Sequence, residues 1–163
     1  MTKNDRLRYL LALAPDDRLL ALKSLSESER KELAWHWRLW ARVEQLAPPG
    51  DWRCWLIMAG RGFGKTRAGA EWVREVATAN PEARLMLVGA SLSEARAVMV
   101  EGESSLLAIG SPLRRPKYEP SLRRLIWPNG AQATLYSALE PDSLRGPQAS
   151  PSCLSGKRKR KPG

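Results

Sequence analysis

The run Ala59-Gly60-Arg61-Gly62-Phe63-Gly64-Lys65-Thr66 sets three glycines at alternate positions directly ahead of a lysine and a hydroxyl side chain. Glycines at 60, 62 and 64 admit backbone with positive φ and let main-chain N–H groups crowd around an anion with no Cβ in the way. A helix opening behind the loop adds the partial positive charge of its N-terminus. Lys65 would then set an ammonium against the β- and γ-phosphates of a nucleoside triphosphate, and the Thr66 hydroxyl would ligate the Mg²⁺ that accompanies it. The usual pattern opens with glycine, and here that place holds Ala59. Alanine is the smallest substitute and leaves the loop intact unless the position requires positive φ. Reading the run as a glycine-rich turn and nothing more leaves the Lys65-Thr66 pair unexplained.

A loop of this kind needs a strand before it and a helix behind it. Trp52-Arg53-Cys54-Trp55-Leu56-Ile57-Met58 has the length and apolar content of a buried parallel strand. Thr66 opens a helix that runs through Ala77 and closes near Asn80-Pro81. Arg84 to Gly89 reads as a second strand and Leu92 to Val100 as a second helix, with Ser91 or Ser93 as its N-cap; this is the βαβ rhythm of a parallel sheet with flanking helices. Arg123 to Trp127 and Ala131 to Tyr136 flank Pro128-Asn129-Gly130, a hairpin signal that would insert into the α/β sheet or edge it. Upstream, residues 1–47 read as an N-terminal helical segment. A capping box at Ser26–Glu29 opens a helix to about Gln45, with Leu33, Trp37, Trp40 and Glu44 at helical spacing and Trp35 and Leu39 beside them. Pro48-Pro49-Gly50 ends it. His36, the only histidine, lacks an arranged co-ligand and reads as structural or solvent-facing.

With 163 residues, 43% of them apolar, one domain of ordinary size is expected. The formal net charge of +10 attracts a polyanion, although part of the excess sits in Lys157 to Lys161. No apolar run approaches the roughly 20 residues of a membrane span, and the N-terminus lacks the features of a secretory signal, so a cytoplasmic protein with no membrane partner is expected. Cys54 and Cys153 lie far apart without CxxC spacing, which suggests neither a zinc site nor a disulfide framework.

Gln45 to Trp52 running into Trp55 to Val73, then Val100-Glu101-Gly102-Glu103-Ser104, Trp127-Pro128-Asn129-Gly130 and Ser143-Leu144-Arg145-Gly146-Pro147-Gln148, closely resemble in the same order the large terminase subunit of tailed bacteriophages and related gene transfer agents. The resemblance implies an ATPase that drives double-stranded DNA into a prohead. It implies a P-loop domain of RecA-like fold followed by an RNase H-like nuclease domain, with ATP and Mg²⁺ as cofactors. Lys65 and Arg61 take catalytic roles, Arg61 on the γ-phosphate. Gln45 matches the glutamine that recognises adenine. Gln45, Gly60, Arg61, Gly62, Phe63, Gly64, Lys65, Thr66 and Arg67 make up the implied nucleotide site, with Thr66 on the metal. A small terminase subunit, a portal protein and a ring of copies in the bacterial host cytoplasm complete the implied setting.

One departure qualifies that reading. Beyond Arg145-Gly146-Pro147 the family presents an apolar strand ending in Asp-Glu, the Walker B pair that organises Mg²⁺ and the attacking water. Here residues 149–163 are rich in proline, serine and lysine/arginine, and no Asp or Glu follows Asp142. The expected layout is therefore a helical segment over 1–47, a partial P-loop ATPase domain over 48–148 and a basic disordered tail over 149–163. The change in mid-motif reads as truncation, with the tail translated in a shifted frame; a DNA-binding arm or a transport signal is the other reading of the basic run. The expected activity is ATP binding with poor hydrolysis. The alternatives are a non-enzymatic nucleotide- or DNA-binding remnant and a small P-loop kinase.

Overall fold

A computed structural model describes residues 3–50, 52–140 and 142, and the chain divides into two compact units between Glu44 and Gln45. The first unit holds the helices α1 (Lys3–Ala12), α2 (Pro15–Ser24), α3 (Glu27–Leu33) and α4 (Trp37–Trp40) around Leu10, Leu22, Leu33 and Leu39. One device recurs at its turns: a side chain on the fourth residue of a helix reaches back to carbonyls at the end of the helix before it. Arg18 donates to the carbonyls of Leu10, Leu11 and Leu13, each at 3.0 Å. Arg30 donates to Leu25 at 3.0 Å and Lys23 at 3.4 Å, and the Trp40 indole N–H to Leu33 at 3.1 Å. The last carbonyls of a helix have no partner within it, so these donors let short helices end without stranding their backbone. The capping box at Ser26 forms: Glu29 N–H donates to Ser26 Oγ at 3.4 Å, and Ser26 N–H to Glu29 Oε2 at 2.9 Å. The single helix expected from there to Gln45 does not. The chain folds back after Leu33, where Trp40 takes the carbonyl, and continues as α4 and a 3₁₀ turn at Val43–Gln45.

The second unit is α/β. Its four strands, β1 (Arg84–Gly89), β2 (Lys117–Glu119), β3 (Arg124–Ile126) and β4 (Gln132–Ser137), lie in the order β1-β4-β3-β2. β1 pairs parallel with β4, placing Leu85 opposite Ala133 and Leu87 opposite Leu135. β3 pairs antiparallel with both β4 and β2. The sheet is thus mixed, which corrects the expectation of a parallel one: tight turns return the chain on itself twice between residues 117 and 137, and only the β1-to-β4 passage crosses over. Leu85 and Leu87 of β1, Leu125 of β3, and Ala133 and Leu135 of β4 join one buried cluster with Ala70, Val73 and Ala77 of the helix α5 (Lys65–Ala79) and with Val100, Leu106 and Ile109. Each large aliphatic side chain buried there contributes about 1.5–3 kcal/mol.

The β3–β4 hairpin turns at Pro128-Asn129-Gly130, as its residues require. Trp127 N–H donates to Ala131 O, and Gly130 N–H to Trp127 O, both at 2.9 Å, with Gly130 at φ +98 where a Cβ would be strained. Asn129 has a second job. Its Nδ2 donates to Ala77 O at 2.8 Å and Thr78 O at 3.4 Å, covering carbonyls at the end of α5, while its Oδ1 accepts Ala131 N–H at 3.2 Å. Beyond β1, Ser91 caps the short helix α6 (Leu92–Ala95), its Oγ accepting Glu94 N–H at 3.2 Å. The expected continuation to Val100 is a π turn, Arg96–Val100, followed by Ser105 Oγ donating to Val100 O at 2.6 Å.

One expected strand is absent. Trp52 to Met58 forms no ladder: residues 54–60 carry no regular secondary structure, and Leu56 and Met58 are 72% and 84% exposed. Strand-like apolar content gives extended chain, but a strand exists only by pairing, and β1 to β4 pair with one another instead. The Ser143–Gln148 motif and the basic segment 149–163 lie outside the described residues.

Candidate functional site: a glycine loop at a helix N-terminus

Exposure alternates along the chain entering the loop: Trp55, Ile57 and Ala59 are half-buried, and Leu56, Met58 and Gly60 are exposed. Indoles tether this segment to α5. The Trp52 ring lies 6.2 Å from the rings of both Trp55 and Trp72, and its N–H donates to Pro48 O at 2.8 Å. The loop is therefore delivered to α5 by aromatic packing, without a place in the sheet.

Within the loop, Gly62 has φ +76, and Gly64, at φ +88 and ψ +27, is the N-cap of α5. Ala59 is not among the residues with positive φ, so the missing first glycine costs the loop no strain. Ala68 N–H donates to Gly64 O at 2.9 Å, closing the first helical ring. Gly64 itself has no side chain with which to cap the helix, and no side-chain cap hydrogen bond forms at this end. Lys65 Nζ donates to Ala59 O at 2.7 Å and Gly60 O at 2.8 Å, so its ammonium folds back across the loop that precedes it. Arg61, Lys65 and Thr66 are exposed.

Of the other side chains implied for this site, Phe63 is half-buried, and Arg67 and Gln45 are engaged within the protein. Arg67 turns along the helix to Glu71, Nε and Nη2 each 2.9 Å from Oε1. Gln45 is 8% exposed, and its Nε2 donates to Phe63 O at 2.7 Å, a contact between residues 18 apart in sequence. The structure thus brings Gly60 to Arg67 together by adjacency and adds Gln45 beneath them.

Sequence reasoning missed Glu71. Its carboxylate, 2% exposed, accepts from Arg67 on one oxygen and, on the other, from Arg74 Nε and Nη2 at 2.7 Å. The i,i+4 and i,i+3 spacing from Glu71 was the available signal. Among the described residues, no group of three or more His, Cys, Asp or Glu could hold a metal ion, and no helix is long and apolar enough to cross a membrane.

The second unit is an α/β domain in which a mixed sheet is backed by a helix that starts from a glycine loop. Residues 56–151 match the family described as Terminase large subunit, T4likevirus-type, N-terminal, and the chain belongs to that family. It is thereby a protein of phage DNA packaging. No curated protein and no solved structure matches it.

Proposed function

We propose that the second unit is the nucleotide-binding part of a DNA-packaging terminase, a P-loop domain of RecA-like kind that takes ATP with Mg²⁺. The observation that carries this reading is the loop itself: Gly64 caps α5 in left-handed conformation with no side-chain cap hydrogen bond, and Lys65 sits folded over its own loop carbonyls. Those residues suit a triphosphate. The leading N–H groups of α5 take phosphate oxygens, and Lys65 exchanges two neutral carbonyls at 2.7 and 2.8 Å for charged oxygens, which accept stronger bonds. Thr66, exposed at the second position of α5, offers its hydroxyl to the magnesium, and Arg61 stands exposed on the loop where it can meet the terminal phosphate. Bound magnesium neutralises phosphate charge and bridges phosphate oxygens.

The 163 residues, on this reading, hold ATP and turn it over slowly. Arg61 and Lys65 supply charge stabilisation, but no Asp or Glu follows Asp142, where the resemblance implies the pair that orients water. Double-stranded DNA is the proposed macromolecular partner, with the small terminase subunit and portal as assembly partners in a bacterial host cytoplasm. Titration of the chain with ATP, with and without Mg²⁺, tests the reading beside Lys65→Ala. The wild type binds with Mg²⁺ and the variant loses at least about tenfold in affinity, the scale of one charge-assisted contact. Equal affinity in the two proteins, or none in the wild type, overturns it; fast Lys65-dependent turnover overturns the slow-hydrolysis part alone.

A further inference from the structure

Gln45 touches two consecutive residues of the loop. Its Nε2 donates to the Phe63 carbonyl at 2.7 Å, and a Cβ built on Gly64 would stand 2.7 Å from that same nitrogen. The side chain is 8% exposed, so the bond is sheltered from competing water. In a planar trans peptide the carbonyl and the N–H point in opposite directions. Holding the Phe63 carbonyl toward Gln45 therefore turns the Gly64 N–H away from it and fixes that peptide plane, whose flip would cost the amide its acceptor.

We infer that Gln45 is a positioning residue for the phosphate cradle: it sets the Phe63–Gly64 peptide so that the Gly64 N–H is presented to a bound anion, and its effect falls on the polyphosphate rather than on the base. This rests on the nucleotide-binding reading and differs from the adenine contact that the family resemblance implies for Gln45. It also gives a second reason, besides φ +88, for glycine at 64: the space a Cβ would need is occupied by the amide that braces the loop.

The test uses a ligand without a base. The full chain is titrated with Mg²⁺-ATP and with Mg²⁺-tripolyphosphate, as wild type, Gln45→Ala and Gln45→Glu, the last keeping size but replacing the donor with a carboxylate. Gln45→Ala loses about tenfold for both ligands, and by the same factor for each, as a lost sheltered bond predicts, and Gln45→Glu, which turns an acceptor toward the Phe63 carbonyl, loses at least as much for both. Gly64→Ala weakens both ligands in the wild type and less in Gln45→Ala, because the two groups compete for one space. Loss of ATP affinity with tripolyphosphate unchanged assigns Gln45 to the base and overturns the inference, as does wild-type affinity in Gln45→Glu. Gln45 is itself buried, so melting is followed as well: Gln45→Ala melts cooperatively somewhat below the wild type and Gln45→Glu lower still, its carboxylate being buried against a carbonyl; a Gln45→Ala chain unfolded at the titration temperature makes Gln45 scaffold and also overturns the inference. Wild type that binds neither ligand fails the nucleotide reading itself, a different result from wild type that binds both alongside unaffected variants.

Discussion

Glu71 is the residue on which the helix behind the loop depends electrostatically. A carboxylate 2% exposed is tolerable only with its charge answered, and Arg67 and Arg74 answer it on both oxygens. Glu71→Ala leaves both guanidinium groups without that partner. The two arginines keep side-chain exposures of 34% and 22%, so water recovers part of the loss. The expected destabilisation is about 2 kcal/mol, below the 3–5 kcal/mol of a fully buried pair, and urea denaturation measures it. A change under about 0.5 kcal/mol would show that the pair carries no such weight. Features acting within a few positions of one another were the legible ones: the glycine loop running from Gly60 into the start of α5 follows from spacing alone, and Glu71 could have been found the same way. Gln45 was legible only as a family resemblance, because its bond to Phe63 spans 18 residues that periodicity does not connect.

At the scale of elements, local pattern sufficed wherever an element carries its own hydrogen bonds or its own turn. β1 has the bounds expected of it, α5 ends at Ala79 before its Asn80 cap, and the Pro128-Asn129-Gly130 turn joins β3 to β4. Where an element depends on a distant partner, pattern failed. Trp52 to Met58 has the composition of a strand without a ladder, and the three-residue β2 shows no periodicity of its own yet pairs with β3. Amide hydrogen exchange follows from this difference. Amides of residues 54–60, which no ladder protects, exchange faster than those of β1 and β4 by at least about a hundredfold. Protection equal to that of β4 would mean that another strand pairs with this segment in solution.

For the whole molecule, a net charge of +10 predicts how the chain meets its proposed polyanion. Duplex DNA binds without sequence preference, and the dissociation constant rises at least about a hundredfold between 50 and 200 mM salt, as four or more neutralised phosphates require. Fluorescence anisotropy with two unrelated duplexes checks both halves; a dissociation constant indifferent to salt would remove the electrostatic account. Charge alone said no more than that a polyanion is attracted. The ordered motifs narrowed it to one family, and the family match over residues 56–151 bears that out.

The amide of Asn129 turns α5 into a strut held at its far end. Fifteen residues of α-helix span about 22 Å, with the glycine loop at one end and the β3–β4 turn fastened to the other through Ala77. A helix so clamped cannot slide along its axis without tearing that bond or dragging the turn with it. An axial displacement of the loop end of α5 would thus be felt about 18 Å away as a pull on the β3–β4 turn.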